Sequence, residues 1–186
     1  MIFIKTKIEG LVIIEPSVFT DDRGFFMESY SKKVFTKNGI DVEFVQDNHS
    51  RSTKGVLRGL HFQKPPFAQD KLIRCTKGEV LDVAVDIRSH SPTFGQYESV
   101  LLSEENKKMF FIPKGFAHGF LVLSDIADFQ YKCSNFYNKE SEGGLLWNDP
   151  EIKIDWSIGG YQDLPILSEK DKLWPTLSEI KTNPVF

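Results

Sequence analysis

The hydrophobic positions of this chain fall in many short runs, and turn signals separate them. The runs that read as strands are Leu11–Glu15, Gly24–Tyr30, Glu43–Asn48, Val56–Phe62, Lys71–Cys75, Glu79–Ile87, Tyr97–Leu102, Lys108–Ile112, Gly119–Leu123, Asp128–Cys133 and Gly144–Trp147. Glu79–Ile87 is the clearest. Leu81, Val83, Val85 and Ile87 alternate with Val80, Asp82, Ala84 and Asp86, which is period-two spacing with one face more polar. Asp22-Arg23-Gly24, Asn38-Gly39, Lys77-Gly78, Ser91-Pro92 and Pro113-Lys114-Gly115 punctuate the runs. Helical signals are few. Ser31–Asn38 predicts a short helix capped by Ser31 and stopped by Gly39. Ser168 and Asp171 have the spacing of a capping box and predict a short C-terminal helix. Short strands with Gly/Pro turns predict an all-β sandwich or barrel of the jelly-roll kind. It reads as a single domain over residues 1–186, with 175–186 a loosely patterned, loosely packed tail.

Composition narrows the class. The chain has 186 residues, 40% of them hydrophobic and 26% charged, as expected of a soluble globular protein. A chain this long buries roughly 70% of its unfolded surface, so it needs no disulfide or metal to hold a core. There are 23 basic and 26 acidic residues, a net charge of −3, which gives no basic excess for nucleic acid. No apolar run reaches bilayer length. The start, MIFIKTKIEG, lacks the pattern of a signal peptide, so a cytoplasmic location is expected, with Cys75 and Cys133 as reduced thiols.

Four histidines are candidates for chemistry: His49, His61, His90 and His118. His90 lies in a turn and carries no functional signal. Arg58 and His61, three apart in a strand, nominally face opposite ways. Gly59 between them can mark a bulge or a close backbone approach that turns both toward one pocket. The alternative is a surface arginine and a core histidine. His118 closes Pro113-Lys114-Gly115-Phe116-Ala117-His118, a Pro-x-Gly-x-x-His spacing that resembles the second half of the cupin signature. Metal-binding cupins supply His-x-His in the first motif. Here that stretch is His61-Phe62-Gln63, so a ligand is missing and no metal is expected.

The ordered set of motifs is similar to the dTDP-4-dehydrorhamnose 3,5-epimerase family, whose fold is the cupin double-stranded β-helix, or jelly roll. The resemblance runs from Ile4 to Trp174. It rests on Asp22–Tyr30, Phe44–Ser50, Leu57–Gln63, Lys71–Cys75, Gly78–Arg88, Ser91–Gly95, Pro113–Phe120 and Leu167–Asp171. It implies an isomerase that inverts C3 and C5 of a 4-keto-6-deoxy sugar on dTDP, within dTDP-L-rhamnose biosynthesis. Both carbons adjoin the C4 ketone, so the chemistry needs a base, an acid on the opposite face, and a cation or donor near the enolate oxygen. It needs no redox cofactor, and none is expected.

By the same resemblance His61 is the base, Asp171 its carboxylate partner and Tyr131 the acid. Lys71 is expected near the sugar carbonyl. Tyr137 stacks on the thymine. Arg23, Arg58 and Lys170 grip the diphosphate and sugar, arginine because its planar fork matches phosphate oxygens. Glu28, Gln46 and Asn48 bond around the nucleotide, Asp47 contributes mainly through its backbone, His118 lies near the sugar or His61, and Glu142 lies near the nucleotide. Read without the resemblance, Asp171 is a helix first-turn acid and Tyr131 a packed phenol. The partner is a dTDP-sugar, with no nucleic acid or membrane. A homodimer is implied, and Ile2-Phe3-Ile4 can add an edge strand to a partner sheet. Three rivals remain: a single-carbon epimerase or keto-sugar isomerase on the same fold, a non-catalytic sugar-nucleotide binder, and a metal cupin.

Overall fold

The computed structural model describes residues 1–186. Thirteen strands and two short helices follow in chain order. They are β1 (Ile2–Lys5), β2 (Val12–Glu15), β3 (Val18–Asp21), β4 (Gly24–Met27), α1 (Lys32–Lys37), β5 (Gln46–Thr53), β6 (Leu57–Gln63) and β7 (Lys71–Lys77). Then come β8 (Glu79–Asp86), β9 (Tyr97–Ser103), β10 (Met109–Ile112), β11 (Phe116–Val122), β12 (Ile126–Cys133), β13 (Glu142–Gly144) and α2 (Leu177–Thr182). A six-stranded sheet has the order β1-β2-β10-β7-β12-β5, and a five-stranded sheet the order β13-β6-β11-β8-β9. β3 and β4 form a separate hairpin. No helix is long and apolar enough to cross a membrane.

The two large sheets face each other, as alternating side chains on each require. Ile73, Cys75, Phe110, Ile112, Ala127 and Phe129 of one pack against Val80, Ala84, Val100, Leu102, Phe116, Phe120 and Val122 of the other. At the centre Phe120 and Phe129 stack across the gap, with ring centroids 3.9 Å apart. The back of the five-stranded sheet is also apolar. Leu81, Val83, Val85, Ile87 and Leu121 are covered there by Ile152, Ile154, Leu177 and Ile180. Phe35 of α1 and Ile40 cover Leu72, Met109 and Phe111 on the back of the six-stranded sheet.

Several expectations change in detail. The more polar face of β8 is not the wet one: Val80, Asp82 and Ala84 are fully buried and face the other sheet. β1 and β3 are strands beyond those the pattern predicts. β1 pairs with β2 through a short hairpin connection and forms one edge of the six-stranded sheet. Ser31 stands at the start of α1 but its hydroxyl caps nothing, while Gly39 follows the helix at φ +87°, as a stop glycine does. Residues 168–171 form a turn, not a helix start, because the Asp171 carboxylate is engaged elsewhere. The capping box is instead Thr176 with Glu179, opening α2. The tail after Pro175 is not loose. Leu177 and Ile180 are buried, Asp149 accepts from the Leu177 N–H, and Ser89 donates to the Phe186 carbonyl. Cys75 and Cys133 are buried free thiols.

Candidate active site

A cavity of about 860 Å³ opens between the sheets. The five-stranded sheet contributes Arg58 and His61 from β6, His118 from β11 and Glu142 from β13. The six-stranded sheet contributes Gln46 and Asn48 from β5, Lys71 from β7 and Tyr131 from β12. Tyr137, Lys170 and Asp171 close it from connecting segments. Period two explains most of this: Gln46 and Asn48 share a face, as do Phe129 and Tyr131.

Arg58 and His61 break period two, and Gly59 is the reason. His118 pairs with His61 and Phe120 with Arg58, so β6 carries one residue more than β11 over this interval, a β-bulge. Gly59 has φ +135°, and a Cβ there would stand 2.5 Å from the Gly119 Cα and 2.9 Å from the His118 carbonyl oxygen. Only glycine permits this approach. It turns both Arg58 and His61 into the cavity.

His61 Nε2 lies 2.5 Å from Asp171 Oδ1. The two are 110 positions apart, so the fold alone joins them. The Trp174 indole N–H donates to the same oxygen at 3.2 Å, and the Asp171 backbone N–H donates to Ser168 Oγ. Burial alone would raise the Asp171 carboxyl, but the bonds from His61, Trp174 and Ser168 hold it below the usual carboxylate range. The dyad is therefore a carboxylate against an imidazole, and the ring nitrogen that Asp171 leaves free can accept a proton.

Opposite, on the other sheet, the Tyr131 hydroxyl lines the cavity. Burial, and to a lesser degree Cys133, pushes its phenol up to about 12, with Arg58 opposing. It stays protonated at neutral pH, as a proton donor must. Burial pushes the Lys71 ammonium down, while Cys133 and Asp82 oppose the shift. His118 Nε2 lies 2.9 Å from Asp82 Oδ2, and burial pushes this histidine down against the pull of Asp82. Toward the mouth, Lys170 Nζ donates to Glu142 Oε1 at 2.6 Å, Tyr137 OH reaches Glu142 Oε2 at 3.5 Å, and Gln46 Oε1 accepts the Tyr137 N–H. No three His, Cys, Asp or Glu side chains converge anywhere as a metal cluster would.

The structure does not bring Arg23, Glu28 or Asp47 to this cavity. Arg23 sits at the β3–β4 turn, exposed and paired with Asp21, and Glu28 is exposed just beyond β4. Asp47 points to the outer face of β5, opposite Gln46 and Asn48, and holds Lys132 Nζ at 3.0 Å. Two groups escaped the sequence reading. Asp82 is the buried carboxylate beneath His118 and Lys71; its signal was an acid in the middle of the β8 alternation. Trp174 carried no local signal.

A sequence model of the family described as dTDP-4-dehydrorhamnose 3,5-epimerase matches residues 5–179. The chain belongs to the dTDP-4-dehydrorhamnose 3,5-epimerase family. It is 60% identical over 169 residues to the dTDP-4-dehydrorhamnose 3,5-epimerase of Shigella flexneri, covering 90% of this chain and 91% of that one. The solved structure of the Legionella pneumophila dTDP-6-deoxy-D-glucose-3,5-epimerase with dTDP-4-keto-L-rhamnose superposes with a TM-score of 0.91 at 52% identity, covering 97% and 95% of the two chains. ChmJ of Streptomyces bikiniensis, a 3'-monoepimerase solved with dTDP-quinovose, gives 0.90 at 34% identity, covering 97% and 90%. The cupin-type β fold and an isomerase activity follow from this membership.

Proposed function

We propose that this chain converts dTDP-4-dehydro-6-deoxy-D-glucose to dTDP-4-dehydro-L-rhamnose by inverting C3 and C5. The observation that carries this reading is a His61–Asp171 dyad on one wall of a cavity whose opposite wall presents the Tyr131 phenol. The ketone acidifies the C–H bond on either side of it. His61 takes the proton, the electron pair moves into an enolate, and the Lys71 ammonium stabilises the oxygen that gains charge. Tyr131 returns a proton to the other face, which inverts the carbon, and the same exchange at the second carbon completes the reaction. No electrons are gained or lost overall.

In this reading Arg58 and Lys170 hold the diphosphate and sugar, Tyr137 packs on the base, and Gln46, Asn48, Glu142 and His118 bond around the substrate. Residues 1–186 act as one domain, in the cytoplasm, as a homodimer. The β3–β4 hairpin supports the dimer: Phe19, Phe25 and Phe26 are 66%, 59% and 71% exposed, an apolar surface that a second copy would cover. Arg23 and Glu28 then serve a partner's cavity rather than their own.

Solvent-deuterium incorporation into dTDP-4-dehydro-6-deoxy-D-glucose tests the reading. Deuterium at both C3 and C5 with inversion is expected. Label at one carbon only would make the chain a monoepimerase, and no label would remove proton transfer altogether.

A further inference from the structure

Trp174 is not among the residues that line the cavity, yet it is built into the dyad. Its indole N–H donates to Asp171 Oδ1, the same oxygen that holds His61 Nε2, at 3.2 and 2.5 Å respectively. Its ring meets the imidazole edge-to-face, with centroids 6.0 Å apart and planes at 73°. The indole is itself seated on β13. Gly144, the register partner of His61, lies against it so closely that any Cβ at this position would collide with the indole ring. Pro175, the next residue, accepts the Leu146 N–H at 2.8 Å and ties the segment to the barrel. Lys170 Nζ lies 5.7 Å from the ring centroid while it holds Glu142.

A carboxylate held only by its histidine can turn about its Cβ–Cγ bond. Two N–H donors on one oxygen prevent that turn and fix the plane of the carboxylate. The imidazole, hydrogen-bonded to that oxygen and touched on its flank by the indole, is fixed with it.

We propose that Trp174 is a positioning residue for proton transfer: its indole N–H locks the Asp171 carboxylate, and through it the His61 imidazole, in the orientation that takes the substrate proton. This rests on the reading of His61 as the base. Trp174 does not line the cavity, so its loss is expected to act on kcat and not on binding.

Trp174→Phe keeps a ring over Gly144 and removes the donor. The rate of deuterium wash-in at saturating dTDP-4-dehydro-6-deoxy-D-glucose is expected to fall by about 10- to 100-fold, the worth of a hydrogen bond to a charged group. KM and the Kd for dTDP are expected to stay within about twofold, and the thermal midpoint within a few degrees. Gly144→Ala, which pushes the indole away, is expected to lower kcat in the same direction. A Trp174→Phe wash-in rate within about threefold of the unsubstituted protein would overturn the proposal. So would losses of dTDP affinity as large as the loss in kcat, which would make Trp174 a packing residue. His61→Ala separates the two readings. If it retains wash-in, the base assignment fails; if it is inactive while Trp174→Phe is normal, only the role of Trp174 fails.

Discussion

Tyr131→Phe separates the two halves of the proposed chemistry. In that proposal the phenol is the donor to one face and plays no part in removing the proton from the other. Its hydroxyl lines the cavity and makes no hydrogen bond to the protein, so the substitution leaves no orphaned partner. The ring keeps its packing on Phe129, with centroids 6.1 Å apart. Stability is therefore expected to change by less than about 0.5 kcal/mol. A positioned acid contributes about 10²- to 10⁴-fold, or roughly 3–5 kcal/mol of barrier. Because burial pushes the phenol up to about 12, the unsubstituted protein keeps its donor protonated throughout the neutral range, and the deficit of the variant is expected to be the same across that range. In deuterated water, followed by proton NMR, label is expected to enter the substrate carbons while the original configuration is kept. His61 removes the proton, exchanges it with solvent and returns deuterium to the same face. Inverted product is expected to appear about 10²- to 10⁴-fold more slowly. Inversion within about tenfold of the normal rate would refute the assignment and hand the second face to another donor.

Asp82→Asn removes a fully buried carboxylate that opposes the downward pull of burial on Lys71. The Lys71 ammonium then loses its proton at a lower pH, so the alkaline limb of kcat is expected to move to lower pH; a limb that stays or moves up would argue against the role of Lys71. Asp86→Ala strands the Arg88 guanidinium and the Ser91 and Thr93 hydroxyls, all of which donate to Asp86. Breaking such a buried pair costs about 3–5 kcal/mol, or roughly 6–20 °C in thermal midpoint for a chain of this size. Burial raises the Asp86 carboxyl, but these bonds hold it below its ordinary value, so its contribution is present above that value and lost as pH falls through the folded one. Thermal melts of the two proteins are therefore expected to converge in acid, and a gap that stays constant with pH would contradict a charge-based origin.

The strands were legible because most follow period two between glycine and proline turns. The same period places Gln46 and Asn48 in the cavity and sends Asp47 to Lys132 on the back, a division the motif Gln46-Asp47-Asn48 does not display by itself. Gly59 was legible as a place where the period would fail. The direction of the failure, toward the cavity for both Arg58 and His61, depended on Gly119 across the ladder. Asp82 hid because a polar residue in an alternating strand reads as solvent-facing, whereas two apolar backs left the polar face pointing inward. Ser168 and Asp171 imitate a helix start because a capping box and a catalytic turn use the same residue types. The Asp171 side chain chose between them through a residue on β6, and Trp174 joined it only through the fold. Arg23, in the β3–β4 turn, and Glu28, just beyond β4, lie away from the cavity because the hairpin belongs to neither large sheet.

Of the groups proposed to take part in proton transfer, Asp171 alone comes from outside the sheets. Its segment is stitched to the barrel by the Ile166 N–H on Gly55 and the Leu57 N–H on Ile166 before it, and by the Leu146 N–H on Pro175 after it. In between, its own turns, Asp171 N–H on Ser168 and Leu173 N–H on Lys170, are the main-chain bonds it makes. A span held this way opens at a lower cost than the ladders beside it. Warming is therefore expected to swing one carboxylate out of reach while both sheets remain intact, so that activity falls before the far-ultraviolet circular dichroism does and returns on cooling; a loss of activity that coincides with melting of the sheets would refute this.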